Sequence, residues 1–127
     1  MNNRQAQIEN VEAMAELDEI CSMDGIDVIF FGPADYSQSI GKTGGIFDSE
    51  VVAARRKVAE TAVRHGKIAG TVGNLANCRE LIDEGFRFIN LGSDVVSLGQ
   101  YCTKTMTEAA AILNKNIKHN QVEGYIK

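Results

Sequence analysis

Two carboxylates stand where short apolar runs stop. Glu9 closes the run Gln5-Ala6-Gln7-Ile8, and Asp35 follows Phe30-Phe31 after Gly32, Pro33 and Ala34. If these runs are neighbouring strands of a parallel sheet, about 4.8 Å apart, the two acids converge, and like charges held that close repel unless a proton or a cation lies between them. Hard oxygen donors in this number suit Mg²⁺ or Mn²⁺, with Co²⁺ a further candidate, and waters and substrate would complete the shell. Beside them, Gly32 lets a ligand approach the backbone and Pro33 stiffens the turn. The N–H groups of Gly32, Ala34 and Asp35 form a candidate nest for a small carboxylate. The same residues have a plainer reading: an acid near a helix start is a favourable N-terminal charge, and Asp after Gly-Pro is a common turn or cap residue. Spacing alone leaves both open.

Short apolar runs alternate with longer helical stretches along the chain, which is the rhythm of an α/β fold. Strands are expected near residues 5–9, 26–31, 67–72 and 86–91; the second is nearly continuous in apolar side chains, as in strands covered on both faces. Asn10 caps a helix in which Val11, Met14, Leu17, Ile20 and Cys21 fall at helical spacing and which ends at Gly25. Asp48 or Ser49 caps a helix to about His65, with Gly66 as its left-handed C′ residue. The segment between Gly32 and Gly45 reads as a loop. Asn74 caps a helix over 75–84, and Ser93 opens the last helix, about 94–116, leaving a tail over 117–127. Residues 24–32 and 84–92 repeat one pattern: acid, helix-ending glycine, six-residue strand, glycine. Repeated units of this kind build (β/α) barrels and doubly wound sheets, and in barrels the functional groups sit at the strand C-terminal ends.

At 127 residues the chain is long enough for one domain with a real core. The net charge of -4, with Lys and Arg scattered among acids, leaves no basic stripe for nucleic acid. Cys21, Cys78 and Cys102 are widely spaced without a C-x-x-C pair, so they read as reduced thiols. No apolar run approaches membrane-spanning length and the N-terminus lacks the regions of a signal peptide, so a cytoplasmic protein without a membrane partner is expected.

Gln7-Ile8-Glu9-Asn10, Leu17-Asp18-Glu19-Ile20, Gly25-Ile26-Asp27 and above all Phe31-Gly32-Pro33-Ala34-Asp35-Tyr36-Ser37 with Ile40-Gly41 resemble the HpcH/HpaI aldolase / citrate lyase family. The likeness continues through Gly66-Lys67-Ile68-Ala69-Gly70 and Gly85-Phe86-Arg87-Phe88-Ile89 to Gly92-Ser93-Asp94. The resemblance implies the C-terminal half, (βα)₄, of a TIM-type (β/α)₈ barrel, in an enzyme that binds a divalent metal and makes or breaks carbon–carbon bonds through a pyruvate enolate. By the same resemblance Glu9 and Asp35 are the metal ligands and Gln7 lies near the keto acid. Gly32, Ala34 and Asp35 hold the pyruvate carboxylate through their amides, and Val72 is an apolar wall.

The chain departs from the family in having no counterpart of its N-terminal histidine base or of the arginine that neutralises the enolate; His65 and His119 do not match, nor does any arginine. Two functional readings therefore stand: a metal-dependent lyase acting on 2-keto acids such as 4-hydroxy-2-oxo acids, inactive as an isolated chain, or an interaction subunit that keeps the metal site without turnover. A third makes the glycine-rich ends 71–74 and 92–94 a phosphate site. Four parallel strands leave two open edges, which predicts association with a second copy or with an N-terminal half barrel. The family packs its last helix against a neighbouring subunit, so 93–116 is also a candidate assembly helix.

Overall fold

In the computed structural model, which describes residues 4–113, four parallel strands alternate with helices. Strand β1 is Gln5–Ile8, β2 is Val28–Phe31, β3 is Ile68–Gly73 and β4 is Phe88–Leu91, and they lie side by side in chain order. The helices are α1 (Val11–Ala15), α2 (Leu17–Ser22), α3 (Pro33–Ser39), α4 (Ser49–Arg64), α5 (Cys78–Asp83) and α6 (Asp94–Ile112). Contacts divide the chain into a unit ending at Leu91 and one beginning at Gly92, which carries α6. The tail at 117–127, His119 and the last residues of the expected helix at 114–116 lie outside the described residues. Among the described residues no helix is long and apolar enough to cross a membrane.

The register decides which side chains share a face. Ile8, Phe31, Thr71 and Ile89 stand in one row across the sheet, with Ala6, Ile29 and Ala69 in the row below on the same side. Against this face pack Leu17 and Cys21 of α2, Val51 and Val58 of α4, Leu81 of α5, and Phe86. Ile8, Ile29 and Phe31 are fully buried, and each such side chain contributes about 1.5–3 kcal/mol. Thr71 is buried here too, and its hydroxyl is satisfied by donating to Phe31 O at 3.0 Å.

The opposite face holds the alternate rows. Gln7, Phe30, Gly70 and Phe88 are level with one another, and Gln5, Val28 and Ile68 lie below them. The rings of Phe30 and Phe88 meet edge to face at 5.9 Å across β3, which is possible because Gly70 stands between them. A Cβ there would lie 2.8 Å from Phe30 Cδ2 and 3.0 Å from Phe88 Cδ1. Val28 and Phe30 are buried on this face, while Ile68, Val72 and Phe88 are each more than 40% exposed on it.

The second and fourth strands begin two residues later than expected, at Val28 and Phe88, and the helices differ from expectation in three places. The helix expected over 10–25 is two, α1 and α2, because Glu16 leaves helical geometry (ψ 12°) and serves as the end of one and the start of the other. The segment after Gly32 is a helix rather than a loop, since Pro33 at the first position has its φ preset and needs no N–H partner there. Asn74 does not cap a helix directly: its Oδ1 accepts from Ala76 N and Asn77 N, making a turn that delays α5 to Cys78. The repeat holds at the strands, and Gly25 and Gly85 both take positive φ, but Gly32 (φ -98°) and Gly92 (φ +97°) send the chain on differently. Cys21, Cys78 and Cys102 are free thiols.

Candidate active site

Above the Gln7 row runs one more, at the strand C-terminal ends. Ile8 pairs with Phe31 and Phe31 with Thr71, so one step further Glu9, Gly32 and Val72 fall level, and Val72 pairs with Asn90. Gly32 holds the centre of this row. The position of a Cβ on it would be 3.3 Å from Gln7 Nε2, 3.3 Å from Glu9 Cβ and 3.7 Å from Asp35 Oδ2. Gln7, Glu9 and Asp35 thus surround one point, and the missing side chain is what leaves room between them. β1 and β2 are neighbours, the condition on which convergence of the acids depended.

The backbone donors are fewer than expected. Gly32 N–H donates to Ile8 O at 3.0 Å, continuing the β1–β2 ladder, so it is not available to a ligand. The ladder reaches one residue beyond the strand because Gly32 is still extended (φ -98°, ψ 90°). Helical bonding in α3 begins with Tyr36 N donating to Gly32 O at 3.0 Å, which leaves the amides of Ala34 and Asp35 in the first turn without a backbone partner. The nest therefore has the amides of Ala34 and Asp35, both residues exposed, and Gly32 contributes space rather than a donor.

Val72 is 41% exposed and, with Pro33, forms one side of a cleft of about 110 Å³ that continues past β3 to Phe47, Arg55, Asn74 and Asn77. Arg55 was not singled out in the sequence, although a signal was there: it lies on the buried stripe of α4 with Val51, Ala54 and Val58, where a charge is out of place. Its Nε donates to Glu84 Oε2 (2.9 Å), and its Nη2 donates to Glu84 Oε1 (2.7 Å) and Glu80 Oε1 (2.6 Å). Burial opposes the charge on Glu84, but hydrogen bonds from Arg55 and Arg56 outweigh it and hold the carboxyl below its ordinary pKa.

His65 is placed elsewhere. It ends α4 ahead of β3, at the opposite end of the sheet from the Gly32 row, with Nε2 3.0 Å from Asp18 Oδ1. Arg64 also pairs with Asp18, and the bonds from His65 and Arg64 lower the Asp18 pKa.

Among the described residues no group of three or more His, Cys, Asp or Glu side chains is arranged to hold a metal ion. Glu9 and Asp35 do fit Mg²⁺ in kind: hard oxygens beside open space, for an ion that keeps several waters and uses one or two carboxylates.

Residues 5–100 match the HpcH/HpaI aldolase/citrate lyase family. The chain belongs to this family. A hydroxypyruvate/pyruvate aldolase of Cupriavidus necator is 41% identical over 91 residues, covering 71% of this chain and 34% of that enzyme. An HpcH/HpaI aldolase/citrate lyase family protein of Burkholderia cenocepacia superposes with a TM-score of 0.79 at 27% identity, over 84% of this chain and 42% of that one. The citrate lyase beta subunit of M. tuberculosis, complexed with oxaloacetate and magnesium, shares the fold at 17% identity and a TM-score of 0.59, over 68% of this chain and 45% of that one. The chain spans less than half the length of the curated relatives it matches. Its four-stranded α/β array corresponds to that share of their barrel.

Proposed function

We propose that this HpcH/HpaI chain carries the metal and keto-acid part of a carbon–carbon lyase, an aldolase for 2-keto acids such as 4-hydroxy-2-oxo acids. The observation that carries the reading is the meeting of Gln7, Glu9 and Asp35 around Gly32. Glu9 and Asp35 would hold Mg²⁺ or Mn²⁺ through their carboxylates. Bound there, the cation would supply positive charge for the keto and carboxylate oxygens as negative charge builds on them. The amides of Ala34 and Asp35 bind the acid's carboxylate, the Gln7 side-chain amide orients its keto group, and Val72 gives the methyl end an apolar wall. Moving the proton requires a base, and the one histidine among the described residues, His65, is committed to Asp18 at the other end of the sheet.

Two measurements on the full chain test the reading. Free Mn²⁺ is followed by electron paramagnetic resonance as protein is added, and loss of the pyruvate methyl proton signal is followed in D₂O with Mn²⁺ present, for the chain alone and with an added N-terminal half barrel. Mn²⁺ binding that Glu9→Gln and Asp35→Asn each weaken about tenfold or more, together with exchange that the added half supports and both variants abolish, is the expected result. Mn²⁺ binding without exchange in either mixture favours an interaction subunit that keeps the metal and lacks turnover. No Mn²⁺ binding overturns both.

A further inference from the structure

Among the described residues two hydroxyl side chains are fully buried, Ser37 and Thr71. Ser37 donates to Ala34 O at 2.6 Å, three residues back in its own helix, which is the ordinary local bond of a helical serine. Thr71 reaches another strand. It stands in the apolar row with Ile8, Phe31 and Ile89, and its Oγ1 donates to Phe31 O at 3.0 Å. A valine has the same outline and would bury no polar group, and burying a hydroxyl costs much of what its bond returns. Stability alone therefore gives little reason for a hydroxyl at this position.

Phe31 O belongs to the peptide group that also carries the Gly32 N–H. Such a group is planar and trans, so its carbonyl and its N–H point to opposite sides. The N–H donates to Ile8 O of β1 at 3.0 Å and the carbonyl accepts from Thr71 of β3 at 3.0 Å, so the plane is held from both flanks. A carbonyl oxygen has two lone pairs, and the hydroxyl bonds there without taking the place of a ladder rung. The next atom of the plane is Gly32 Cα, and glycine has no side chain of its own to limit its torsions. Gly32 O in turn accepts from Tyr36 N at 3.0 Å and so starts the helix that carries Asp35.

We propose that Thr71 is a positioning residue for the site: its hydroxyl fixes the peptide ahead of Gly32, and through it the spacing of Gln7, Glu9 and Asp35 around that glycine. The branch at Cβ restricts χ1 of Thr71, so the backbone of β3 sets the direction of the donor. The consequence for a metal rests on the function proposed above, whereas the hold on the peptide does not.

The experiment compares Thr71→Val, which keeps the shape and removes the hydroxyl, with Thr71→Ser, which keeps the hydroxyl and removes a methyl. Hydrogen exchange of the Gly32 amide is followed by NMR in the ¹⁵N-labelled full chain, Mn²⁺ binding by electron paramagnetic resonance, and stability by thermal denaturation. Thr71→Val melts within a few degrees of the parent, yet its Gly32 amide exchanges about tenfold faster and its Mn²⁺ affinity falls about fivefold. Thr71→Ser melts lower for want of the buried methyl, yet restores slow Gly32 exchange and parental Mn²⁺ affinity. A hydroxyl serving the core alone would instead move exchange and affinity together with the melting temperature. The proposal is overturned if Thr71→Val leaves either Gly32 exchange or Mn²⁺ affinity at the parental value, or if Thr71→Ser restores neither. A parent chain that binds no Mn²⁺ would sink the function proposed above. Gly32 exchange that is faster in Thr71→Val and slow again in Thr71→Ser would then still uphold the hold on the peptide, and unchanged exchange would overturn it.

Discussion

Gly32 is read from its sequence as a place where a ligand meets the backbone, and the structure gives that reading a different physical content. Its amide is locked in the ladder, and its value is the volume a side chain would take from Gln7, Glu9 and Asp35. At φ -98° alanine is conformationally acceptable, so Gly32→Ala tests volume without backbone strain. The expected outcome is a melting temperature within a few degrees of the parent with Mn²⁺ affinity reduced about tenfold, measured by thermal denaturation and paramagnetic titration. The site carboxylates were legible because they end apolar runs. The lost amide was not, because whether a ladder continues past a strand depends on the neighbour's carbonyl, in this case Ile8.

At the level of elements, the ion pairs between α4 and α5 fix the β3–α5 turn that carries Asn74 and Asn77. Because the Glu84 pKa is lowered in the folded chain, this carboxylate contributes stability above its ordinary value and loses it as pH falls through the lower folded value. Thermal stability should therefore drop as the pH falls below the ordinary glutamate range, and Glu84→Gln should flatten that part of the profile while lowering the melting temperature at pH 7 by stranding Arg55. Gly70 tests the other face. A methyl there meets two aromatic rings and Phe88 O at 3.2 Å, so Gly70→Ala should cost about 1–3 kcal/mol in chemical denaturation. Helix α4, strand β2 and the glycines at 25, 66 and 85 were readable from period and punctuation. Helix α3 and the Arg55 cluster were not: Pro33–Ser39 is too short and mixed to show a period, and ion pairs 25 to 29 residues apart leave no local pattern.

For the whole molecule, the dominant feature is the sheet face of the Gln7 row, with its exposed apolar side chains. Ile68, Val72 and Phe88 share it with Gln7 and Glu9, so whatever covers the apolar part also closes the site from water. We expect the chain to elute in light-scattering chromatography as a species larger than one copy, and Phe88→Ser to shift it toward a single copy. Helix α6 presents Val95, Leu98, Tyr101 and Met106 to solvent as a second candidate surface, and Leu98→Glu reports on it separately. That apolar surface was legible as an assembly helix only through family likeness, since an apolar stripe reads equally well as packing within a chain.

The order of the strands in the sheet is their order in the chain, with every pairing between consecutive strands. Each strand can therefore join an edge that already exists when it is made, and no pairing has to wait for a later segment. The site row shares this order: Glu9, Gly32 and Val72 come from three consecutive strands, so the cradle around Gly32 needs no pairing with β4 to form.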